Sequence, residues 1–84
     1  MSIRDEDMYI YTADYAFATF LYCHFSNVNI LKEDDGRVWF VFERNKDTQT
    51  MVELYRTRQA RIEPQTYFQN LKMVKNWIYE EQGV

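Results

Sequence analysis

The sequence predicts an α+β fold: a small three-stranded antiparallel sheet with three helices, in the order β-α-β-β-α-α. Three observations predict it. Apolar residues recur at helical spacing between Ala13 and Phe25. Two alternating runs flank Asp34-Asp35-Gly36. Pro64 opens a second long helical stripe.

Residues 8–11, Met-Tyr-Ile-Tyr, are β-prone and give the first strand. Thr12 is placed to cap the first helix, with Asp14 in its first turn, where the macrodipole favours an acid. Ala13, Ala16, Phe17, Phe20, Leu21 and His24 share one helical face, and Tyr15, Ala18, Tyr22 and Phe25 form a second apolar strip beside it. A helix apolar over more than half its circumference is expected to be largely buried.

Ser26-Asn27 breaks that pattern. Val28, Ile30 and Lys32 then alternate with Asn29, Leu31 and Glu33, and Val38, Phe40 and Phe42 alternate with Trp39 and Val41. Two hairpin registers compete. A two-residue Asp35-Gly36 turn would set Phe42 against Asn29 and Val38 against Glu33. A three-residue loop with Gly36 in the left-handed conformation pairs Ile30 with Phe40, Val28 with Phe42 and Leu31 with Trp39, and it puts Glu33 opposite Arg37. The second sorts apolar residues by face and is preferred.

Asn45 or Asp47 caps the second helix, whose apolar positions are Met51, Val52, Leu54 and Tyr55, fading at Arg58. Residues 58–63 form a joint. Pro64 suits the first turn of the third helix, with Tyr67, Phe68, Leu71, Val74 and Ile78 as its core stripe, widened by Trp77. Residues 1–7 are expected to be a flexible acidic terminus, 8–79 a single domain, and 80–84 frayed.

The sheet has two faces. Val28, Ile30, Val38, Phe40 and Phe42 define the one that carries helices. Leu31, Trp39 and Val41, joined by Tyr9 and Tyr11, define the other. That second face is too apolar for water, so either the third helix covers it, through Trp77 and Met73, or a partner does.

At 84 residues the chain is one small domain, and its 18% aromatic content offsets a limited core. A single cysteine, Cys23, excludes an intramolecular disulfide and points to a reducing, cytoplasmic setting. Met1–Asp7 is charged rather than apolar, so no secretory leader is expected. The apolar run around Ala16–Phe25 is too short to span a bilayer, so no membrane role is expected. The net charge of −3 is unevenly spread: residues 1–36 hold a net −5 and residues 37–84 a net +2. An acidic protein is repelled by nucleic acid at long range, so such binding needs a concentrated basic patch.

Three segments resemble an uncharacterised family of small proteins scattered through phages, mobile elements and prokaryotic genomes. They are YTADYAFATFLY (Tyr11 to Tyr22), RVWFVFE (Arg37 to Glu43), and the span from Tyr55 to Phe68, an aromatic and a short joint before a helix opening with Phe. The resemblance covers residues 9–79. The family commonly places a glycine after its first helix, where this chain has Ser26. The resemblance implies the fold and a cytoplasmic setting, the host's cytoplasm if the protein is viral. It implies no activity.

No catalytic residue, metal site or cofactor is expected. Cys23 and His24 are adjacent on a helix and point about 100° apart, so they do not form a nucleophile–base pair. They also lack zinc-ligand spacing; a core thiol and a partly buried histidine are expected. Asp5-Glu6-Asp7 and Asp34-Asp35 have no calcium-loop spacing, and there is no glycine-rich phosphate loop.

Two surfaces remain as candidates. One is the sheet face of Leu31, Trp39, Val41, Tyr9 and Tyr11. The other is a basic edge of Arg44, Lys46, Arg56, Arg58, Arg61, Lys72 and Lys75. Arg56 and Arg58 also suit a solvated helix end, where cations offset the macrodipole and Glu53 lies within pairing reach of Arg56. The expected function is non-enzymatic binding by protein contact or self-association, as a phage or mobile-element accessory acting on a host or defence complex. The alternative is nucleic-acid binding through the Arg56–Arg61 edge or the Trp39 face.

Overall fold

The computed structural model describes residues 3–5 and 8–81. Its elements are β1 (Ile3–Asp5), β2 (Tyr9–Thr12), α1 (Tyr15–His24), β3 (Val28–Lys32), β4 (Val38–Glu43), α2 (Lys46–Arg56) and α3 (Pro64–Glu81). The expected α+β class, its three antiparallel strands and its three helices are all present. The sheet gains a fourth strand: its order is β1-β2-β4-β3, with β1 antiparallel along the outer edge of β2. Part of the segment read as a flexible acidic terminus is therefore paired, Ile3 with Thr12 and Asp5 with Ile10. Of residues 80–84, expected to fray, Glu80 and Glu81 belong to α3; residues 82–84 and the rest of the N-terminal segment lie outside the described residues.

The hairpin takes the preferred register, Val28 with Phe42, Ile30 with Phe40 and Leu31 with Trp39. Gly36 has φ +88°, and the Glu33 amide donates to the Arg37 carbonyl at 2.9 Å, closing the three-residue loop.

The helix caps follow from short polar side chains. Asp14, not Thr12, caps α1: its carboxylate accepts from the amides of Ala16 and Phe17. Thr12 is the last residue of β2, fully buried, and its hydroxyl accepts from the Asp14 amide at 3.1 Å. Asn45 caps α2 in a reciprocal box with Thr48. The buried Thr48 hydroxyl also donates to the Glu43 carbonyl, which ties the end of β4 to the start of α2.

The core gathers Ile10, Val38, Phe40 and Phe42 from one sheet face against Phe17, Ala18, Phe20 and Leu21 of α1, with Val52 of α2 and Val74 of α3. Tyr55 of α2 stacks obliquely on Phe17 and Phe20, at 4.8 and 5.4 Å between ring centres. α3 packs on α1: Trp77 meets Tyr22 edge-on at 4.9 Å, and the Tyr67 hydroxyl donates to the Ala16 carbonyl at 3.1 Å. α1 thus lies between the sheet and α3, which is why it is apolar nearly all round.

Candidate functional site

The second sheet face is not the open platform its sequence suggested. Trp39 and Val41 are only 5% and 8% exposed, so the indole offers no ring face for a base to stack on. Tyr11 is half-buried, and Leu31 and Tyr9 are exposed at separate ends of the face. The Arg37 guanidinium lies 5.6 Å from the centre of the Trp39 ring. Cover by the third helix, one of the two alternatives the sequence left open, is not made through the residues expected for it: Trp77 packs on Tyr22 of α1, and Met73 is exposed.

The basic residues do not form one edge. Arg44 and Lys46 stand at the start of α2 and Arg56 at its end, about 15 Å apart along the axis. Arg44 donates to the Gln49 side chain. Arg56 pairs with Glu53 at 3.9 Å, as its spacing suggested. Arg61 is exposed and donates to the neighbouring Ala60 carbonyl.

Arg58 is singular. The Arg58 amide donates to the Tyr55 carbonyl and the Gln59 amide to the Leu54 carbonyl, the paired bonds of a Schellman helix end. That motif needs a left-handed residue after the C-cap, normally glycine, and here it is Arg58 at φ 61°. Arg56 and Arg58 line an open groove of about 500 Å³ with Tyr55, Ala60 and Asp14. Asp14 places a carboxylate in this groove, so a phosphate would meet mixed charge rather than a purely basic wall. Burial, followed by the Asp14 charge, pushes the Tyr55 hydroxyl above its ordinary value, so it stays a neutral donor.

Lys72 and Lys75 lie elsewhere, on α3, and there the structure assembles a surface the sequence did not announce. Phe68, Lys72, Lys75 and Tyr79 fall at i, i+4, i+7 and i+11, a single stripe along the helix. Phe68 was expected in the core stripe, but it is 62% exposed; it lies about 120° round the helix from the buried Val74. Tyr79 is 53% exposed, and Tyr15, from the first turn of α1, is 46% exposed. The Lys72 ammonium lies 5.6 Å over the Phe68 ring, and the Lys75 ammonium 5.6 Å over the Tyr15 ring. Tyr15, Lys75, Ile78 and Tyr79 line one shallow cavity, so the stripe is continuous across the two helices.

The remaining candidates stay bland. His24 is exposed rather than partly buried, in the last turn of α1, with its ring 5.0 Å from Phe20. Cys23 is half-buried, and its sulfur accepts from the Asn70 side-chain Nδ2 at 3.2 Å. Among the described residues no group of three or more His, Cys, Asp or Glu side chains is placed to hold a metal ion, and no helix is long and apolar enough to cross a membrane.

No curated protein and no solved structure matches the chain. Residues 7–80 match the family model of the domain of unknown function DUF5659, a span that includes all three resembling segments, and the chain belongs to that family.

Proposed function

We propose that this domain is a non-enzymatic binding protein that works by contact with another protein. The observation that carries the reading is the continuous exposed stripe of Phe68, Lys72, Lys75 and Tyr79 with Tyr15. Single exposed apolar residues are ordinary on any surface, but here three exposed aromatics gather on one surface strip, two of them under lysine ammonium groups. The setting we propose is the cytoplasm, in keeping with a lone cysteine. The role is that of a phage or mobile-element accessory acting on a host or defence complex, supported by small size, acidity and the family resemblance.

The experiment is affinity capture from cells of the source, comparing the intact chain with Phe68→Ala/Tyr79→Ala and with Arg56→Ala/Arg58→Ala/Arg61→Ala. Loss of one defined partner with the aromatic variant alone supports the reading. An unchanged set with both variants sinks it.

Nucleic-acid binding remains the second reading. It is favoured by one feature, the Arg56 and Arg58 groove beside Tyr55. Titration of labelled single- and double-stranded DNA and RNA at low and high salt tests it. Salt-sensitive binding at micromolar protein, lost in the arginine variant, would establish it over the protein reading.

A further inference from the structure

We infer that the partner surface of this stripe is an acidic amphipathic helix laid along α3. The inference rests on the protein-binding reading above and names the chemistry of the partner. The first argument is spacing. Phe68, Lys72, Lys75 and Tyr79 repeat at intervals of four, three and four residues, the interval of a seam between two helices. The row is about 16 Å long, three turns of a helix, and therefore enough to seat three turns of a partner. An extended strand finds no unpaired edge here, because the backbone of α3 is internally bonded.

The second argument is charge. The protein is acidic overall, yet from Pro64 to Tyr79 α3 contains no acid and two lysines, and both lysines lie on this stripe. Each ammonium rests over an aromatic ring, Lys72 on Phe68 and Lys75 on Tyr15. The lysines stand in the middle of the row and the rings at its ends; the rings and the lysine stems supply apolar footing and the ammonium groups the cations, which matches leucine-type side chains on a seam flanked by carboxylates. Glu80 lies just beyond Tyr79, so the carboxylates of the partner belong beside Phe68–Lys75 rather than past the end of the row.

The same two facts argue against other occupants. A second copy of α3 would bring four lysines together across the seam. A single strand of nucleic acid is disfavoured because the chain, at a net charge of −3, repels it as a whole and the row offers only two cations to phosphate.

The test uses the full chain and three labelled probes followed by fluorescence anisotropy. One is a synthetic amphipathic peptide with leucines on one stripe and glutamates on both flanks. The second has lysines in place of the glutamates, and the third is oligodeoxythymidylate. The glutamate peptide is expected to bind, more weakly at high salt. Phe68→Ala should weaken it roughly tenfold. Lys72→Glu/Lys75→Glu should abolish it and confer binding of the lysine peptide, a gain that misfolding does not produce. The inference is overturned by an unbound glutamate peptide, by a lysine peptide that binds the intact chain equally well, by tighter binding of the oligonucleotide, or by charge reversal without a switch of preference. If it fails while the aromatic variant still loses a partner in cells, the protein-binding reading stands and only the chemistry of the partner is wrong. If both fail, the stripe is not an interface.

Discussion

Asp14 accepts hydrogen bonds from the amides of Ala16 and Phe17, two first-turn donors that have no partner within α1. Asp14→Ala should therefore destabilise the fold by about 1 kcal/mol, read as a lower urea midpoint with unchanged slope. Tyr67 offers a different test. Its hydroxyl donates to the Ala16 carbonyl, and burial, then the charges of Tyr55, Cys23, Asp14 and Tyr15, raise it above its ordinary 10.0. The fold thus favours the neutral phenol. Its contribution is complete below the unfolded value and is lost as pH rises through the folded one, because the unfolded chain ionises first. Tyr67→Phe should cost about 1 kcal/mol at neutral pH and show a shallower loss of stability above about pH 10, with Tyr55 keeping some slope. Urea titrations across that range decide it; an unchanged alkaline slope would remove Tyr67 from the account. Single residues were also the least legible level of the sequence. Thr12 and Asp14 are both good caps, and only the length of β2 decides between them. Phe68 fits a core stripe by spacing, but spacing does not say how wide the neighbouring helix makes that stripe.

At the scale of elements, the hairpin was readable because face sorting and charge pairing both select one register, and a one-residue slip would turn Phe40 and Phe42 away from the core. β1 was not readable. Ile3-Arg4-Asp5 carries no alternation long enough to signal a strand, and its pairing is a gift of the exposed edge of β2. Two turns make opposed predictions. Gly36 at φ +88° has open space where a side chain would go, so Gly36→Ala should cost about 1 kcal/mol from backbone strain alone. Arg58 occupies the left-handed position of the α2 terminus that glycine normally fills. Arg58→Gly should stabilise the domain by up to about 1 kcal/mol, less the added freedom of the unfolded chain. Thermal melts of the two variants should move in opposite directions. A destabilised Arg58→Gly would show that the guanidinium holds the groove beside Asp14 and Tyr55 together.

On the scale of the whole molecule, α1 is the element every other layer leans on. Phe17, Ala18, Phe20 and Leu21 meet the sheet and α2, while Ala16, Tyr22 and Cys23 meet α3. The sequence made this visible as a helix apolar over more than half its circumference, yet it could not say which element covers which strip. It was silent about the candidate site for the same reason. Tyr15 and Lys75 meet only because α3 folds back along α1, and no local pattern marks two residues so far apart in the chain. The arrangement has a consequence for a chain ending at Glu63. Without α3 it loses Val74 from the core and the Tyr67, Trp77 and Ile78 contacts around it. Burial of each such side chain contributes about 1.5–3 kcal/mol when complete and less when partial. Their sum rivals the whole stability of a domain this size, about 5–10 kcal/mol. The shortened chain should keep much of its far-ultraviolet circular dichroism, lose its near-ultraviolet signal and bind a hydrophobic dye, with no cooperative urea transition. A sharp transition in that fragment would mean that the sheet, α1 and α2 form a complete core by themselves, and that α3 is an appended arm rather than the second cover of α1.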